Sequence, residues 1–355
     1  MAMDTITFLQ RENAKVVLIS HLGRPKGTPQ DDLRMAPIAH RLSTLLNSPV
    51  RYSDTPLDAR ETKEAVSALK NGDVIVLENC RFDARETQND SEYAKAIASL
   101  GDLFVFDAFG TAHRAHASTE GITHFLPSYF GHLMDKEVTY LSNAFSPDKA
   151  PIVAIIGGSK ISTKFGVLEN LLGKVDTLVV GGGMVFTLLK AQGLEIGNSL
   201  CEDEQLNAAT TFLEKAKTSS TTLLLAKDVV CAPEFSATAP ATTHAITAHP
   251  SDQMGLDVGP ITISEIKDAI KTAKTIIWNG PLGVFELDQF AVGTMEIAKA
   301  ITQTSATTIV GGGDSVAAIN KANLANKISH ISTGGGACLE LLEGKALPSI
   351  VAIQK

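Results

Sequence analysis

The stretch Ile152-Val-Ala-Ile-Ile-Gly-Gly-Ser-Lys-Ile-Ser-Thr-Lys-Phe-Gly-Val-Leu-Glu-Asn170 predicts a strand, a glycine turn and a helix. Its first residues are apolar and mostly β-branched, which is the composition of a buried parallel strand. Gly157 and Gly158 end that run. Apolar residues then recur at the spacing of a helix, at Phe165, Leu168, Leu171 and Leu172. The stretch therefore predicts one unit of an alternating α/β fold.

Two lysines, Lys160 and Lys164, fall in the turn and in the first turn of that helix. A helix N-terminus carries partial positive charge and disfavours cations. A bound anion removes the conflict, because free amides, the helix dipole and both ammonium groups would then face a phosphate. The alternative is an ordinary glycine turn with solvated lysines. The spacing is not that of a Walker loop, so the phosphate hypothesis needs support from elsewhere in the chain.

Length and composition indicate a soluble globular protein of two domains. A chain of 355 residues is long for one core, and 44% hydrophobic with 20% charged residues is ordinary for a soluble protein. The net charge of −8 argues against a nucleic-acid or anionic-membrane partner. The sequence contains no apolar run of membrane-spanning length and no signal pattern. With four scattered cysteines read as reduced thiols, we expect a cytoplasmic protein.

Strand patterns alternate with helix patterns along both halves of the chain. In the first half we predict strands at 16–20, 73–78 and 103–107, and helices at 3–13, 37–47 and 92–100. A longer helix at 129–145 is expected to bridge two domains. Later strands are predicted at 152–156, 177–180, 223–225, 275–278, 308–310 and 328–331. This alternation predicts the α/β class with two doubly wound parallel-sheet domains. The Ala-, Thr-, Pro- and Gly-rich stretch 237–260 is predicted to be a surface excursion.

Basic side chains follow the predicted strands of the first half. Ligands bind beyond the carboxyl ends of strands in open parallel sheets, and those ends carry His21, Arg24, Arg81, His113, Arg114 and His116. Arginine suits bidentate recognition of carboxylate and phosphate. Three arginines at the strand ends of one sheet therefore predict a pocket for a small, multiply charged anion. Any one of them alone is more simply a surface ion pair, the histidines are equally compatible with structural roles, and we do not expect His116 to be catalytic.

Glycine clusters follow the predicted strands of the second half, at 157–158, 181–183, 311–313 and 334–336. Glycine lets backbone amides approach phosphate closely, and Asp314 adds a carboxylate suited to Mg²⁺ on a nucleotide. One such turn is weak evidence, but several at strand ends predict a nucleotide site; Trp278 is interpreted as core. An anion pocket on one domain and a nucleotide site on the other predict phosphoryl transfer across a cleft, with hinge closure.

Several motifs resemble those of the phosphoglycerate kinase family. In the first half these are His21-Leu-Gly-Arg-Pro-x-Gly27, Asn79-x-Arg-Phe82 and Asp107-Ala-Phe-Gly-Thr-Ala-His-Arg-Ala-His-Ala-Ser118. In the second half they are Gly157-Gly-Ser-Lys-Ile-Ser-Thr-Lys164, Gly181-Gly-Gly-Met184, Trp278-Asn-Gly-Pro-x-Gly-Val-Phe-Glu286, Gly311-Gly-Gly-Asp-Ser315 and Ser332-Thr-Gly-Gly-Gly336. The similarity extends from the first predicted strand to the last residue and is bacterial in style.

The resemblance implies reversible phosphoryl transfer between 1,3-bisphosphoglycerate and ADP, giving 3-phosphoglycerate and ATP in glycolysis, by a cytoplasmic monomer that uses Mg²⁺. It places the phosphoglycerate on His21, Leu22, Gly23, Arg24, Arg81 and Arg114. It places the nucleotide on Lys160, Lys164, Leu256, Asn279, Pro281, Val284, Glu286, Gly312, Gly313, Asp314 and Ser315, with Asp314 as the Mg²⁺ ligand. Lys164, acting on the transferring phosphoryl group, and Gly335, among the amides of 334–336, are the implied catalytic groups.

The resemblance also implies domain limits and one departure. The implied segments are a phosphoglycerate-binding domain at 1–145, a nucleotide-binding domain at 146–336 and a tail at 337–355 that returns to the first domain. Family members begin with a strand bearing an Arg-x-Asp-x-Asn-x-Pro-like motif, followed by a Thr-Arg-Ile-Arg-like segment, and neither is present here. Met1 falls where the first long helix of the family is already under way.

Without that strand, neighbouring strands near Val16 and Leu103 are expected to expose unpaired backbone groups, and little or no kinase activity is expected of the chain as written. A non-catalytic nucleotide-binding remnant of such a kinase is the alternative interpretation. A dinucleotide-dependent dehydrogenase is disfavoured, because no G-x-G-x-x-G pattern follows any predicted strand.

Overall fold

The computed structural model describes residues 2–355, which divide into two compact units. The first unit runs through Val138 and also includes Ala346–Lys355, and the second unit is Thr139–Lys345. Domain limits after 145 and after 336 were expected. The first limit instead falls inside a helix, and the second moves because the helix that starts at Gly335 packs within the second unit. Met1 lies outside the described residues.

The strands of the first unit form two small parallel sheets. Strands β1 (Val16–Leu18), β2 (Val50–Tyr52) and β3 (Val74–Val76) pair in the order β1-β3-β2. Strands β4 (Phe104–Phe106) and β5 (Ser128–Phe130) pair separately. Within residues 2–355, β1 pairs with β3 alone and β4 with β5 alone, so each has one edge without a strand partner. Backbone groups on such an edge are available for further pairing.

The helices of the first unit cover both faces of its central strand. They are α1 (Met3–Arg11), α2 (Ala36–Leu46), α3 (Arg60–Ser67), α4 (Ala84–Thr87) and α5 (Ser91–Ala98), followed by α6 (His132–Asn143). Val74 and Val76 of β3 pack in a cluster with Met35, whereas Ile75 packs in another with Ile97. Alternate strand residues point to opposite faces. The uninterrupted Val-Ile-Val run therefore reflects burial of both faces.

Several elements of the first unit differ from the sequence-based prediction. Strand β2 and helix α3 were missed, because β2 is three residues long with an exposed Arg51 at its centre. The helix predicted at 129–145 is wrong at its start, since Tyr129 lies in β5. The backbone N–H of Met134 donates to Asp107 Oδ1 (3.1 Å). A carboxylate that follows β4 thus supplies an acceptor for the first turn of α6.

The second unit is built on a six-stranded parallel sheet in the order β14-β13-β12-β6-β7-β8. The strands of the whole second unit are β6 (Ile152–Ile156), β7 (Thr177–Val180), β8 (Thr222–Leu224), β9 (Asp228–Ala232), β10 (Thr242–Ala245), β11 (Met254–Val258), β12 (Thr275–Asn279), β13 (Thr307–Gly311) and β14 (His330–Ile331). Its helices are α7 (Phe165–Leu171), α8 (Val185–Ala191), α9 (Leu206–Thr218), α10 (Pro260–Thr272), α11 (Val292–Ile301), α12 (Gly313–Lys321) and α13 (Gly335–Leu342). The predicted α/β class with parallel sheets is confirmed.

The predicted surface excursion at 237–260 is correct only in part, because residues 240–245 are mostly exposed whereas 256–259 are buried. This stretch contains β10 and β11, which flank β9 in a three-stranded antiparallel sheet. Leu256 and Val258 are buried there. The alternation of apolar and polar residues is short and interrupted by Gly255, where the register of β11 shifts. The bulge explains why β11 was missed, because it breaks the two-residue period that signals a strand.

The last residues form α14 (Pro348–Ile353), which packs on β5 in the first unit. The backbone N–H of Ser349 donates to the carbonyl of Ala112 (3.3 Å).

Trp278 is fully buried, and its indole N–H donates to the carbonyl of Gly280 (2.8 Å), as expected of a core residue. Among residues 2–355, no helix combines the length and apolarity that crossing a membrane requires.

Candidate active site

A cavity of about 290 Å³ opens where β6, β12 and β13 end. It is lined by three turns and by the start of α13, through Gly157, Gly158, Ser159, Lys160, Thr163, Lys164, Asn279, Gly280, Pro281, Gly312, Gly313, Asp314, Ser315, Gly335 and Leu339. Parallel strands direct their carboxyl ends to one edge of the sheet, which is where such folds bind ligands. The cavity is thus a product of the sheet topology.

The turns that line the cavity lie backbone against backbone. Gly157 N–H donates to the carbonyl of Asn279 (2.9 Å), and Met184 N–H donates to the carbonyl of Gly158 (3.0 Å). A Cβ at Gly157 would overlap the carbonyl oxygen of Pro281. Glycine is therefore required at this position by close approach rather than by conformation alone.

Two helix N-termini meet at the cavity. Helix α12 begins after Gly312, which has a φ of +88°, and α13 begins after Gly334. A Cβ built on Gly335 would lie 3.9 Å from the Cα of Gly312, so the two helix starts are adjacent. The first N–H groups of each helix have no intrahelical partner, and with the helix dipole they favour bound anions. Together the two helix starts make a backbone-built site, whose free N–H groups can accept an anion such as phosphate.

Lys164 precedes α7 and is buried, with its side-chain Nζ donating to Asn279 Oδ1 (2.6 Å). Burial lowers the pKa of the Lys164 ammonium, and the charge of Asp314 acts in the opposite direction. The Nδ2 of Asn279 is also buried and has no hydrogen-bond partner within residues 2–355. A buried donor without a partner is costly unless a ligand completes it. Lys164 and Asn279 together therefore offer two donors to an anion.

The structure brings most of the expected nucleotide residues to this cavity but not all. Ser315 lines it, although its hydroxyl accepts the N–H of Gly280 (2.6 Å) and so holds the turn after β12. Leu256 and Val284 lie outside the cavity lining, in an apolar cluster with Phe290. Glu286 is exposed and also lies outside the lining.

Several lining residues were missed as site candidates by the sequence analysis, namely Ser159, Thr163, Gly280 and Leu339. Thr163 stands between the two lysines, so its place in the motif was a usable signal. Leu339 lies in α13 within an apolar run, and nothing local in the sequence distinguishes it from a core residue. Leu339 lines the cavity because of how α13 packs in the second unit, which the local sequence does not show.

The first unit gathers a separate cluster of cations, which we call the basic cluster: His21, Arg24, Arg81, Arg114 and His116. Burial, followed by the charges of Arg81 and Arg114, lowers the pKa of His21 to about 4. The same causes lower the pKa of His116 to about 4. Burial and the charges of Arg114 and Arg24 also lower the pKa of Arg81. Groups that perturb one another in this way share one neighbourhood, so the expected strand-end residues do meet.

The side chains of Arg81 and Asn79 hold the loop that carries His21 and Arg24, by donating hydrogen bonds to its backbone carbonyls. Arg81 donates from a terminal nitrogen to the carbonyl of Gly23 (3.0 Å). Asn79 Nδ2 donates to the carbonyls of Leu22 (2.8 Å) and Leu33 (2.9 Å). Leu22 and Gly23 therefore contribute to this site through their backbone. The Nε of Arg81 is buried without a partner within residues 2–355, which leaves a charged donor for an anionic ligand.

Comparison with known proteins gives one consistent result. A family model described as phosphoglycerate kinase matches residues 1–345. The chain is 51% identical over 356 residues to phosphoglycerate kinase of Synechococcus elongatus, covering 99% of this chain and 88% of that relative. It is 53% identical over 359 residues to the cytosolic phosphoglycerate kinase of Triticum aestivum, covering 100% and 89%.

Solved structures agree with the sequence comparison. The structure of phosphoglycerate kinase from Coxiella burnetii has a TM-score of 0.92 at 45% identity, covering 99% of this chain and 89% of that one. The crystal structure of phosphoglycerate kinase from Pyrococcus horikoshii OT3 has a TM-score of 0.84 at 29% identity, with coverage of 99% and 89%. Both similarities extend over nearly the whole chain.

Proposed function

The chain belongs to the phosphoglycerate kinase family, kinases of glycolysis whose phosphoryl acceptor is a carboxyl group, and we propose that it divides the two substrates between its units. The second unit binds ADP or ATP in the cavity at the ends of β6, β12 and β13. The first unit binds 3-phosphoglycerate or 1,3-bisphosphoglycerate on the basic cluster. The resemblance in the motifs, the family match and the placement of both sets of residues support this division.

One observation carries the nucleotide assignment: the N-termini of α12 and α13 and the buried Lys164 converge on a single cavity. Backbone amides and an ammonium group neutralise phosphate charge without depending on exposed side chains. We propose that Gly312, Gly313, Gly335 and Lys160 contact the phosphates. Pro281, which lines the cavity, and Leu256, Val284 and Glu286, which lie outside its lining, are proposed to contact the base and ribose.

The chemistry needs positive charge more than it needs a base. In the direction of ATP consumption, a carboxylate oxygen of 3-phosphoglycerate attacks the terminal phosphorus, the bond from that phosphorus to the ADP oxygen breaks, and ADP leaves with the electron pair. A carboxylate is already ionised, so no proton has to be removed from it. Catalysis then depends on positioning and on stabilising charge on the transferring group. Lys164 and the Gly335 amide are proposed for that role.

The residues present fit a Mg²⁺ ion held mainly by the nucleotide. Residues 2–355 contain no group of three or more His, Cys, Asp or Glu able to hold a metal, and Asp314 is the carboxylate in the cavity lining. Mg²⁺ typically takes one or two carboxylates plus substrate phosphates and water. We propose Asp314 as that carboxylate. When bound, the ion would neutralise phosphate charge beside the groups already described.

The remaining expectations are also proposals. We propose a cytoplasmic monomer that binds neither nucleic acid nor membrane, supported by the net charge of −8 and by a relative named as cytosolic. Light scattering at micromolar concentration tests the monomer. A mass of twice 37.6 kDa would contradict it.

A direct test uses the 355-residue chain with both substrate pairs. Calorimetry with MgADP and with 3-phosphoglycerate should give one site for each, and a coupled assay then measures whether ATP-dependent turnover accompanies that binding. Failure of MgADP to bind would overturn the nucleotide assignment. Binding of both ligands without turnover would instead correspond to the alternative of a non-catalytic nucleotide-binding protein.

A further inference from the structure

Glu86 is a buried carboxylate that the sequence analysis left without a role. It lies in α4, a short helix that follows Arg81 in the chain, and is 2% exposed. Its two carboxylate oxygens accept hydrogen bonds from Ser118, one from the backbone N–H (3.0 Å) and one from the hydroxyl (2.6 Å). Its own backbone carbonyl accepts the N–H of Ala117 (3.0 Å). Glu86 therefore holds two successive residues of the loop after β4.

That loop carries part of the basic cluster, since Arg114 and His116 precede the residues that Glu86 holds. His116 Nδ1 lies 3.7 Å from a Glu86 carboxylate oxygen. The charge of Glu86 also acts to raise the pKa of Arg81, against the larger effect of burial. One side chain thus interacts with both strand ends that supply the central arginines.

The basic cluster needs such an element because its members repel one another. Arg81 is buried and its cation is disfavoured by both burial and the charge of Arg114. Like charges in a partly desolvated site move apart or lose charge unless an opposite charge and hydrogen bonds fix them. Glu86 supplies both, because its charge favours the Arg81 cation and its oxygens accept both donors of Ser118. Burial raises the pKa of the Glu86 carboxyl, and the hydrogen bonds from Ser118 and the charge of Arg81 oppose that shift.

We propose that Glu86 is a positioning residue that sets the separation of Arg81 from Arg114 for the two charged ends of the phosphoglycerate. It acts through the loop at 116–118 and does not touch the substrate. The proposal rests on the proposed function, in which the basic cluster binds that substrate. A structural role without effect on recognition is the competing interpretation, and it predicts loss of stability alone.

The test is calorimetric titration of 3-phosphoglycerate and MgADP into the full chain carrying Glu86→Gln, which keeps the shape and one carbonyl acceptor but removes the charge. Affinity for 3-phosphoglycerate should fall about tenfold, with affinity for MgADP unchanged. The matched control is Glu64→Gln, the same change in an exposed ion pair with Arg60 in the first unit. All titrations are run well below each variant's melting temperature.

A second variant keeps the proposal testable where Glu86→Gln fails to fold. Ser118→Ala removes one donor to Glu86 while leaving the charge, and should weaken 3-phosphoglycerate about threefold. In the double variant the two losses should not add, because both act through one contact. Additive losses would contradict this route.

Three results separate the inference from the function it rests on. If Glu86→Gln binds 3-phosphoglycerate with wild-type affinity while Arg114→Ala binds it weakly, the positioning role is overturned and the proposed site is retained. Equal loss of both ligands in Glu86→Gln makes its role purely structural and also overturns the inference. Unchanged 3-phosphoglycerate binding in Arg114→Ala refutes the proposed site, and the inference with it.

Discussion

The two proposed sites would present positive charge to a ligand by different means. In the second unit the donors are backbone amides at the starts of α12 and α13, supported by Lys164 on Asn279. In the first unit they are arginine side chains placed by loops after β1, β3 and β4. A backbone site depends on whether chain segments can approach closely, whereas a side-chain site depends on how neighbouring charges are balanced. The two sites should therefore fail under different kinds of substitution.

The buried titratable groups of the two units also contrast. In the first unit, burial and neighbouring arginines lower the pKa of His21 and His116 to about 4. In the second unit, burial raises the pKa of Asp257 to about 7, although the backbone N–H groups of Gly293 and Val258 favour its ionised form. Burial disfavours the charged form in each case. The direction of the resulting pH effect is opposite because the groups are a base and an acid.

The largest effect is expected from Lys164→Ala. Removing a buried cation from the backbone-built site should lower whatever turnover the wild-type chain shows in the coupled assay by about 10²–10³-fold, the usual loss for one transition-state donor. The assay compares kcat and KM with those of the wild-type chain. Lys160→Ala is the paired variant, since Lys160 is exposed, and its main effect should be on nucleotide affinity. A change in Lys164→Ala confined to the KM for ATP would show ground-state binding instead.

Glycine substitution tests whether the second site depends on close backbone approach. Gly157→Ala should destabilise the second unit by about 3 kcal/mol or more, because its Cβ would overlap the carbonyl of Pro281. Gly313→Ala is the matched control, since nothing lies within 4 Å of a Cβ there. Urea unfolding followed by the fluorescence of Trp278, the single tryptophan and part of the second unit, measures both. Equal stability of the two variants would contradict the close-approach argument.

Arg114→Ala tests whether the first site depends on side-chain charge. Loss of a charge-assisted donor should weaken 3-phosphoglycerate about 10- to 100-fold, while MgADP binding stays unchanged. Calorimetry with both ligands on the full chain gives the comparison. Similar losses for both ligands would mean that the division of substrates between the units is wrong.

The smallest expected effect is the dependence of stability on pH. The folded pKa of His116 lies below the ordinary 6.5, so its contribution is fully favourable above pH 6.5 and is lost as pH falls from 6.5 to about 4. His116→Gln should therefore gain stability relative to wild type over that range. Hydrogen exchange of peptides from the first unit, at pH 7 and pH 5, measures the difference.

Asp257 should show the opposite sign in the second unit. Its folded pKa of about 7 exceeds the ordinary 3.8, so the folded state binds the extra proton and its contribution to stability falls as pH rises from 3.8 to 7. Asp257→Asn should therefore lose stability relative to wild type as pH is lowered, measured by Trp278 fluorescence in urea. The same direction of change in both variants would break the contrast between the units.

Much of the fold was predictable because local periodicity encodes it. The run at Ile152–Ile156 specified a buried strand, and the glycines after it specified a tight turn before a helix. The motifs around Arg81, Arg114 and Lys164 were also sufficient by themselves to identify the family. Short elements such as β2, and strands interrupted by a bulge such as β11, were missed because they lack a long enough period.

By itself the sequence determined the α/β class, the ends of most strands and which residue types follow them. Only the tertiary structure decided which of those residues meet. Glu86 and Ser118 are distant in sequence yet joined by two hydrogen bonds, while Glu286, inside a recognisable motif, lies outside the cavity lining. The physical reason is that periodicity fixes the direction of a side chain relative to its own element, whereas contacts between elements depend on packing of the whole unit.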